Sequence, residues 1–205
     1  MVAPTVDAAA FGLTMAAPDP APDDERTRRP SMRSTALAAL LSATLLLPAA
    51  ASAAPPSYAE SGQATRAVAE PYFDAYMARQ WDRLAPLLAE NGGFEDPTAA
   101  LVFGPVKQQG KAATLKNFRE GYAAIRHMAF QPSRVFYAGE HAVFEGTLDW
   151  TLALADGQQA VTTGMPFITV LRVVDGLVVE HRDYADYAPF LEAVKAAKAP
   201  TAPSR

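Results

Sequence analysis

Two hydrophobic rhythms alternate along this chain. Val68, Tyr72, Ala75 and Tyr76 recur at helical spacing and predict a helix over residues 65–77. Pro71 lies inside it and implies either a kink or a start near Glu70. A second short helix is expected over 82–89, holding Pro86 and stopped by Asn91-Gly92-Gly93. Phe94-Glu95-Asp96 reads as a short strand ended by Pro97. Leu115, Phe118, Tyr122 and Ile125, spaced three, four and three, predict a third helix over 112–125. The rhythm then changes to β segments over 128–138, 141–155, 158–174 and 177–184, divided by Gly139-Glu140, Asp156-Gly157 and Asp175-Gly176. A last helix follows, with Asp186 as N-cap and Pro189 in its first turn. Helices followed by a meander mean an α+β fold in a single domain. A curved, largely antiparallel sheet wrapped around three to four helices encloses a cone-shaped cavity, a natural site for a ligand.

That domain spans 65–198, and the remainder has a different character. Residues 34–59 carry no charge and combine Ala/Leu runs with Ala51-Ser52-Ala53, the small-residue pattern of a signal-peptide cleavage site. The run is too short and Ala-rich for a good membrane span, which needs about 20 apolar residues. We therefore expect a signal peptide over 32–53, cleavage near Ala53, an exported mature protein with no integral membrane anchor, and a linker over 54–64. Residues 1–31 read as a disordered extension or a misassigned start, Met32 being the alternative first residue. Thr27-Arg28-Arg29 weakly resembles a twin-arginine signal. Residues 199–205 read as a disordered tail.

Charge and composition narrow the partners. The chain has 18 Lys+Arg against 22 Asp+Glu, a net charge of −4, with no basic cluster. Nucleic acid is thus not an expected partner. There is no cysteine, which removes disulfides and thiolate chemistry. The three histidines lack metal-ligand spacing, and no Gly-rich phosphate loop is present. No metal and no cofactor is expected.

Three aspartates remain as candidate chemistry: Asp96 before Pro97, Asp149 within an apolar strand, and Asp183 in His181-Arg182-Asp183-Tyr184. A carboxylate facing a core is costly unless paired or hydrogen-bonded, so such positions suit acid–base work. Asp96 beside aromatic residues would have a raised pKa and act as a base; its ordinary role is to cap the turn at Pro97. Strand alternation sets Phe144, Leu148, Trp150 and Leu152 on one face of 141–155, and Val143, Glu145, Thr147, Asp149 and Thr151 on the other. If Asp149 faces the cavity, Leu148 and Trp150 face outward and need a cover, for which a homodimer is the simplest. The opposite placement puts Leu148 and Trp150 in the core and Asp149 in solvent. Val179, His181 and Asp183 alternate onto one face, where His181 either relays protons or is a partly exposed strand residue. Tyr72 and Tyr76, one turn apart, either donate to a substrate oxygen or bond a neighbouring carboxylate.

The stretch from Tyr72 through Phe94-Glu95-Asp96-Pro97, and that from Asp175-Gly176 through His181-Arg182-Asp183-Tyr184-Ala185-Asp186, resemble the nuclear-transport-factor-2-like superfamily. That group includes ketosteroid isomerases, limonene-epoxide hydrolases and SnoaL-like polyketide cyclases. The resemblance implies a small hydrophobic substrate, with Asp96 as general base and Tyr72 as oxyanion donor in the isomerase manner. It implies Asp149 and Asp183 as paired carboxylates in the hydrolase manner, His181 assisting. Tyr76, Phe94, Thr147, Phe118 and Val179 are then candidate substrate contacts. Two departures are visible: Thr147 stands where the hydrolases carry an arginine, and Thr169 stands near the isomerases' second aspartate. A binding module without chemistry is the alternative on the same scaffold.

Overall fold

The computed structural model describes residues 57–199. The expectations for an N-terminal extension, a signal peptide and a C-terminal tail fall outside those residues. In chain order the elements are α1 (Tyr58–Met77), α2 (Trp81–Leu84), β1 (Leu88–Asp96), α3 (Ala100–Phe103), β2 (Val106–Gln109), α4 (Lys111–Gly121), β3 (Ile125–Ala138), β4 (His141–Ala153), β5 (Gln159–Val174), β6 (Leu177–Ala185) and α5 (Ala188–Lys198). The strands form one open sheet in the order β2-β1-β6-β5-β4-β3. All neighbours run antiparallel except β1 and β6, which are parallel. The fold is α+β, as the sequence predicts.

Helix α1 begins inside the segment expected to be a linker. Ser57 and Glu60 explain the start: the Ser57 hydroxyl accepts from the Glu60 N–H, and the Glu60 carboxylate accepts from the Ser57 N–H at 2.8 Å. This capping box satisfies two of the N–H groups that a helix start leaves open. The helix continues through Pro71 rather than beginning near Glu70.

The expected helix over 82–89 is only four residues of α2 and a 3-10 turn, Ala85–Leu87, with Pro86 in it. Leu88 already belongs to β1, and Asn91-Gly92-Gly93 lies within that strand instead of stopping a helix. A Cβ on Gly92 would stand 2.9 Å from the Val178 carbonyl, and one on Gly93 would stand 2.8 Å from that of Gln108. These glycines permit close backbone approach on both sides of β1, at the break in its register with β6. Short elements α3 and β2 fill 97–110, where no periodicity signals them.

The helices pack on the sheet face bearing Ala142, Phe144, Leu148, Trp150 and Leu152, all buried. Phe73 of α1 stacks on Phe144 at 4.1 Å, and Phe190 of α5 lies 4.9 Å from Trp150. This settles the orientation of β4 against the placement that turns Asp149 inward. Leu148 and Trp150 are covered within the chain, so they offer no outward face through which a dimer could form.

Candidate functional site

Asp96 closes β1, where Pro97 cannot continue a ladder. Its Oδ1 accepts from Thr98 N–H (2.9 Å), Thr98 Oγ1 (2.6 Å) and Ala99 N–H (2.9 Å), while its Oδ2 accepts from the Tyr187 hydroxyl at 2.6 Å. The turn-capping role and the inward position are therefore both real. Burial pushes the Asp96 carboxyl above its ordinary range; the bonds from Thr98 and Tyr187 oppose this, and the charge of Asp183 adds to it.

Asp183 comes from β6, one residue beyond the Glu95–Arg182 pair that aligns β6 with β1. It is 1% exposed. Thr169 donates to its Oδ1 at 2.6 Å, His181 Nε2 stands 3.0 Å from the same oxygen, and Tyr76 donates to Oδ2 at 2.5 Å. Two branches extend from this carboxylate. On one, His181 Nδ1 lies 3.1 Å from the Tyr72 hydroxyl. On the other, the Tyr122 hydroxyl lies 2.5 Å from that of Tyr76. Tyr76 has one proton, and while it is given to an ionised Asp183, Tyr122 must be the donor to Tyr76. If Asp183 takes up a proton, the chain reverses and the Tyr122 hydrogen is freed. Burial holds the phenols of Tyr72, Tyr76, Tyr122 and Tyr187 neutral, their pKa values raised well above the ordinary value.

Asp96, Asp183, Tyr76, Tyr122 and Tyr187 line one hollow of about 70 Å³. A single water needs about 10–15 Å³ on this scale, so there is room for several. The rest of the wall is mainly apolar, including Phe94, Phe103, Leu148, Trp150, Met165 and Phe167. Two carboxylates and three phenols thus meet in a largely hydrophobic chamber.

Several expected partners lie elsewhere. Asp149 sits on the opposite face of the sheet, where its Oδ1 accepts from Gly164 N–H at 2.8 Å. There β5 carries an extra residue against β4, with Gly164 at φ +64°, and the carboxylate takes a bond that the interrupted ladder leaves open. Thr147 is on that same outer face, opposite Pro166 and Gln131. Val179 is the extra residue of a second irregularity, since Arg172 pairs with Glu180 but Val173 pairs with Val178. It therefore leaves the inner face, and lines a polar surface hollow with Glu95, Lys107 and Arg182. His181 is buried rather than partly exposed. Neither it nor Tyr72 lines the inner chamber; both reach it through Asp183. Tyr72 bonds His181 and makes no bond to Asp96, so the chamber-lining phenols are Tyr76, Tyr122 and Tyr187. Phe118 is fully buried behind the wall, its ring 5.3 Å from that of Tyr76. Tyr122 and Tyr187 are not foreseen as polar groups, and Thr169 is foreseen only as a departure. Tyr122 has a helical-period signal alone, and Tyr187 is itself the N-cap of α5, where the sequence suggests Asp186; the Asp186 carboxylate instead accepts from Ala188 N–H at 3.0 Å. Among the described residues no group of three or more His, Cys, Asp or Glu side chains is arranged to hold a metal ion, and no helix is long and apolar enough to cross a membrane.

A family model for the SnoaL-like domain matches residues 69–181, which include α1 from Ala69 onward and β6 as far as His181. This chain belongs to the SnoaL-like domain family. Among solved structures, a candidate SnoaL-like polyketide cyclase from Shewanella putrefaciens is 19% identical, with 64% of this chain and 96% of that one covered and a TM-score of 0.56. A candidate cyclase of the same kind from Shewanella denitrificans is 16% identical, with 64% and 97% covered and a TM-score of 0.56. A candidate ketosteroid isomerase from Kribbella flavida is 26% identical, with 71% and 86% covered and a TM-score of 0.45. No curated protein matches the sequence. The Shewanella structures share the fold of this SnoaL-like chain.

Proposed function

We propose that this SnoaL-like protein is a small-molecule enzyme that moves protons on an apolar substrate, by isomerisation, cyclisation or hydrolysis. The observation that carries the reading is the meeting of Asp96 and Asp183 with Tyr76, Tyr122 and Tyr187 on the wall of one mainly apolar hollow. Asp96 is the base: its Oδ2 accepts a single protein bond, and burial raises its proton affinity. The Asp183–Tyr76–Tyr122 chain is the complementary arm, supplying a hydrogen bond or a proton to oxygen at the chamber. Tyr72 and His181 position Asp183. The charge-free stretch 34–59 supports an exported setting.

Asp96→Asn tests this. The amide oxygen keeps an acceptor for Thr98 and Ala99, so the turn survives. Turnover, followed by mass spectrometry on a panel of cyclic ketones, epoxides and lactones, should fall by about 10²-fold or more. Unchanged turnover removes Asp96 as base. A second reading, ligand binding without chemistry, draws on the saturation of both carboxylates, with three donors on Asp96 Oδ1 and three on Asp183. It requires that no panel member be converted and that Asp96→Asn change affinity alone.

A further inference from the structure

His181 is enclosed by rings. Tyr72 and Tyr76 of α1, Phe94 of β1 and Phe118 of α4 surround it, with ring centroids 4.5 to 5.8 Å away, and its side chain has no exposed surface. The titratable groups against it are Asp183 of its own strand and the two α1 phenols. Each ring nitrogen has one partner: Nδ1 lies 3.1 Å from the Tyr72 hydroxyl, and Nε2 lies 3.0 Å from Asp183 Oδ1. Counting donors and acceptors places the hydrogens on this line. Tyr72 is fully buried, and among the described residues its hydroxyl bonds only Nδ1. The phenol stays neutral, because burial first and the charge of Asp183 second push its pKa well above the ordinary value. Its one hydrogen therefore has a single acceptor, the Nδ1 lone pair. A hydrogen on Nδ1 would leave the phenol hydrogen with no acceptor in a place closed to water, a state that folded proteins seldom tolerate. The hydrogen of the neutral ring then belongs to Nε2, where it meets the Asp183 carboxylate.

We propose that Tyr72 is a positioning residue that locks His181 as an Nε2–H donor and so makes it a stop, not a relay, for protons on Asp183. The consequence for proton transfer rests on the proton-moving reading of the chamber; the lock itself does not. A proton arriving on Asp183 has His181 Nε2 and the Tyr76 oxygen within reach. Nε2 already carries a hydrogen and has no lone pair to offer. Thr169 leads no further, since among the described residues its hydroxyl bonds Asp183 alone. The open exit runs through Tyr76. The carboxyl hydrogen passes to Tyr76, the Tyr76 hydrogen to Tyr122, and the Tyr122 hydrogen to an oxygen at the chamber. Asp183 is left ionised and both phenols end as they began, so one proton leaves the carboxyl and one reaches the chamber. Tyr72 sets this direction without touching a ligand, and its hydroxyl is not available as an oxyanion donor.

Replacing the two exposed histidines, as His127→Gln and His141→Gln together, leaves His181 as the one histidine of the chain. With ¹⁵N-histidine in this parent at neutral pH, Nε2 should resonate as a protonated ring nitrogen and Nδ1 as an unprotonated one. Adding Tyr72→Phe should move Nδ1 downfield, as loss of a donor to its lone pair does. The same change should lower kcat roughly three- to tenfold with KM unchanged, because Tyr72 does not line the chamber. A protonated Nδ1 in the parent overturns the lock, and that spectrum requires neither turnover nor a folded Tyr72 variant. An Nδ1 resonance unmoved in a folded Tyr72→Phe protein overturns Tyr72 as the donor. If Nδ1 moves but kcat does not, Tyr72 sets the tautomer without directing the proton, and the proposal fails. If the parent shows the lock and no panel compound is converted, the lock stands and the proton-moving reading falls.

Discussion

A carboxylate held where its charge is unwelcome leaves a thermodynamic mark. Asp96 has a folded-state pKa above the ordinary aspartate value of 3.8, chiefly because of burial. The folded protein therefore binds the Asp96 proton more readily than the unfolded chain does. Stability linked to this group is fully present below the unfolded pKa and declines as pH rises through the folded one. Asp96→Asn removes that decline. Denaturant titrations should show the variant gaining on the parent as pH rises from below 3.8 through the folded pKa of Asp96. Tyr76→Phe strips a donor from Asp183 and an acceptor from Tyr122 together. It should cost about 1–3 kcal/mol in chemical unfolding and lower turnover, whereas Tyr122→Phe, which leaves Asp183 its three donors, should lower turnover at smaller cost in stability. Equal effects on both measures would argue against a directional chain.

At the scale of elements, alternation shows which residues share a face but not which face is covered. Asp149 and Thr147 were legible as neighbours on β4; that their face is the outer one follows from the seating of Phe73 and Phe190 on the other side. Irregularities in register are harder to read, because one extra residue reverses every later side chain. Val179 is displaced in this way, and Asp149 serves the other irregularity through Gly164. Asp149→Ala should therefore cost about 1 kcal/mol in stability and leave turnover intact. Gly146 marks a tighter constraint: a Cβ there would lie 2.1 Å from the Gln131 carbonyl, on the adjoining strand. Gly146→Ala should destabilise by about 2 kcal/mol or more, seen as a lowered Tm, because backbone has to move. The early glycines of β1 could be mistaken for a helix stop because glycine punctuates both helix ends and close strand contacts.

For the molecule as a whole, the α+β layout and the convergence of Asp96 with Asp183 were legible, since both carboxylates lie at strand ends among aromatics. The phenol wall was not, since a hydroxyl's reach depends on packing that no local period encodes. That wall has a bulk signature. Of seven tyrosines, Tyr72, Tyr76, Tyr122 and Tyr187 have strongly raised pKa values, and Tyr137 is raised to about 12. An acid with a raised folded pKa loses its linked stability as pH climbs through that value, so these phenols favour the fold until strongly alkaline conditions. Absorbance at 295 nm should show most of the tyrosine signal appearing together with alkaline unfolding, in a step that tracks loss of circular dichroism. Smooth ionisation of all seven near pH 10 would contradict the burial described.

The parallel pairing of β1 with β6 has a kinetic corollary. The two acidic ends are brought side by side by strands near opposite ends of the folded region, joined through one of the longest loops the topology permits. Closing such a loop is slow compared with zipping the β3–β4 and β4–β5 hairpins. A refolding chain should thus regain most of its sheet spectrum before it can hold a guest, and a chain cut between β5 and β6 should keep its hairpins while never completing the chamber.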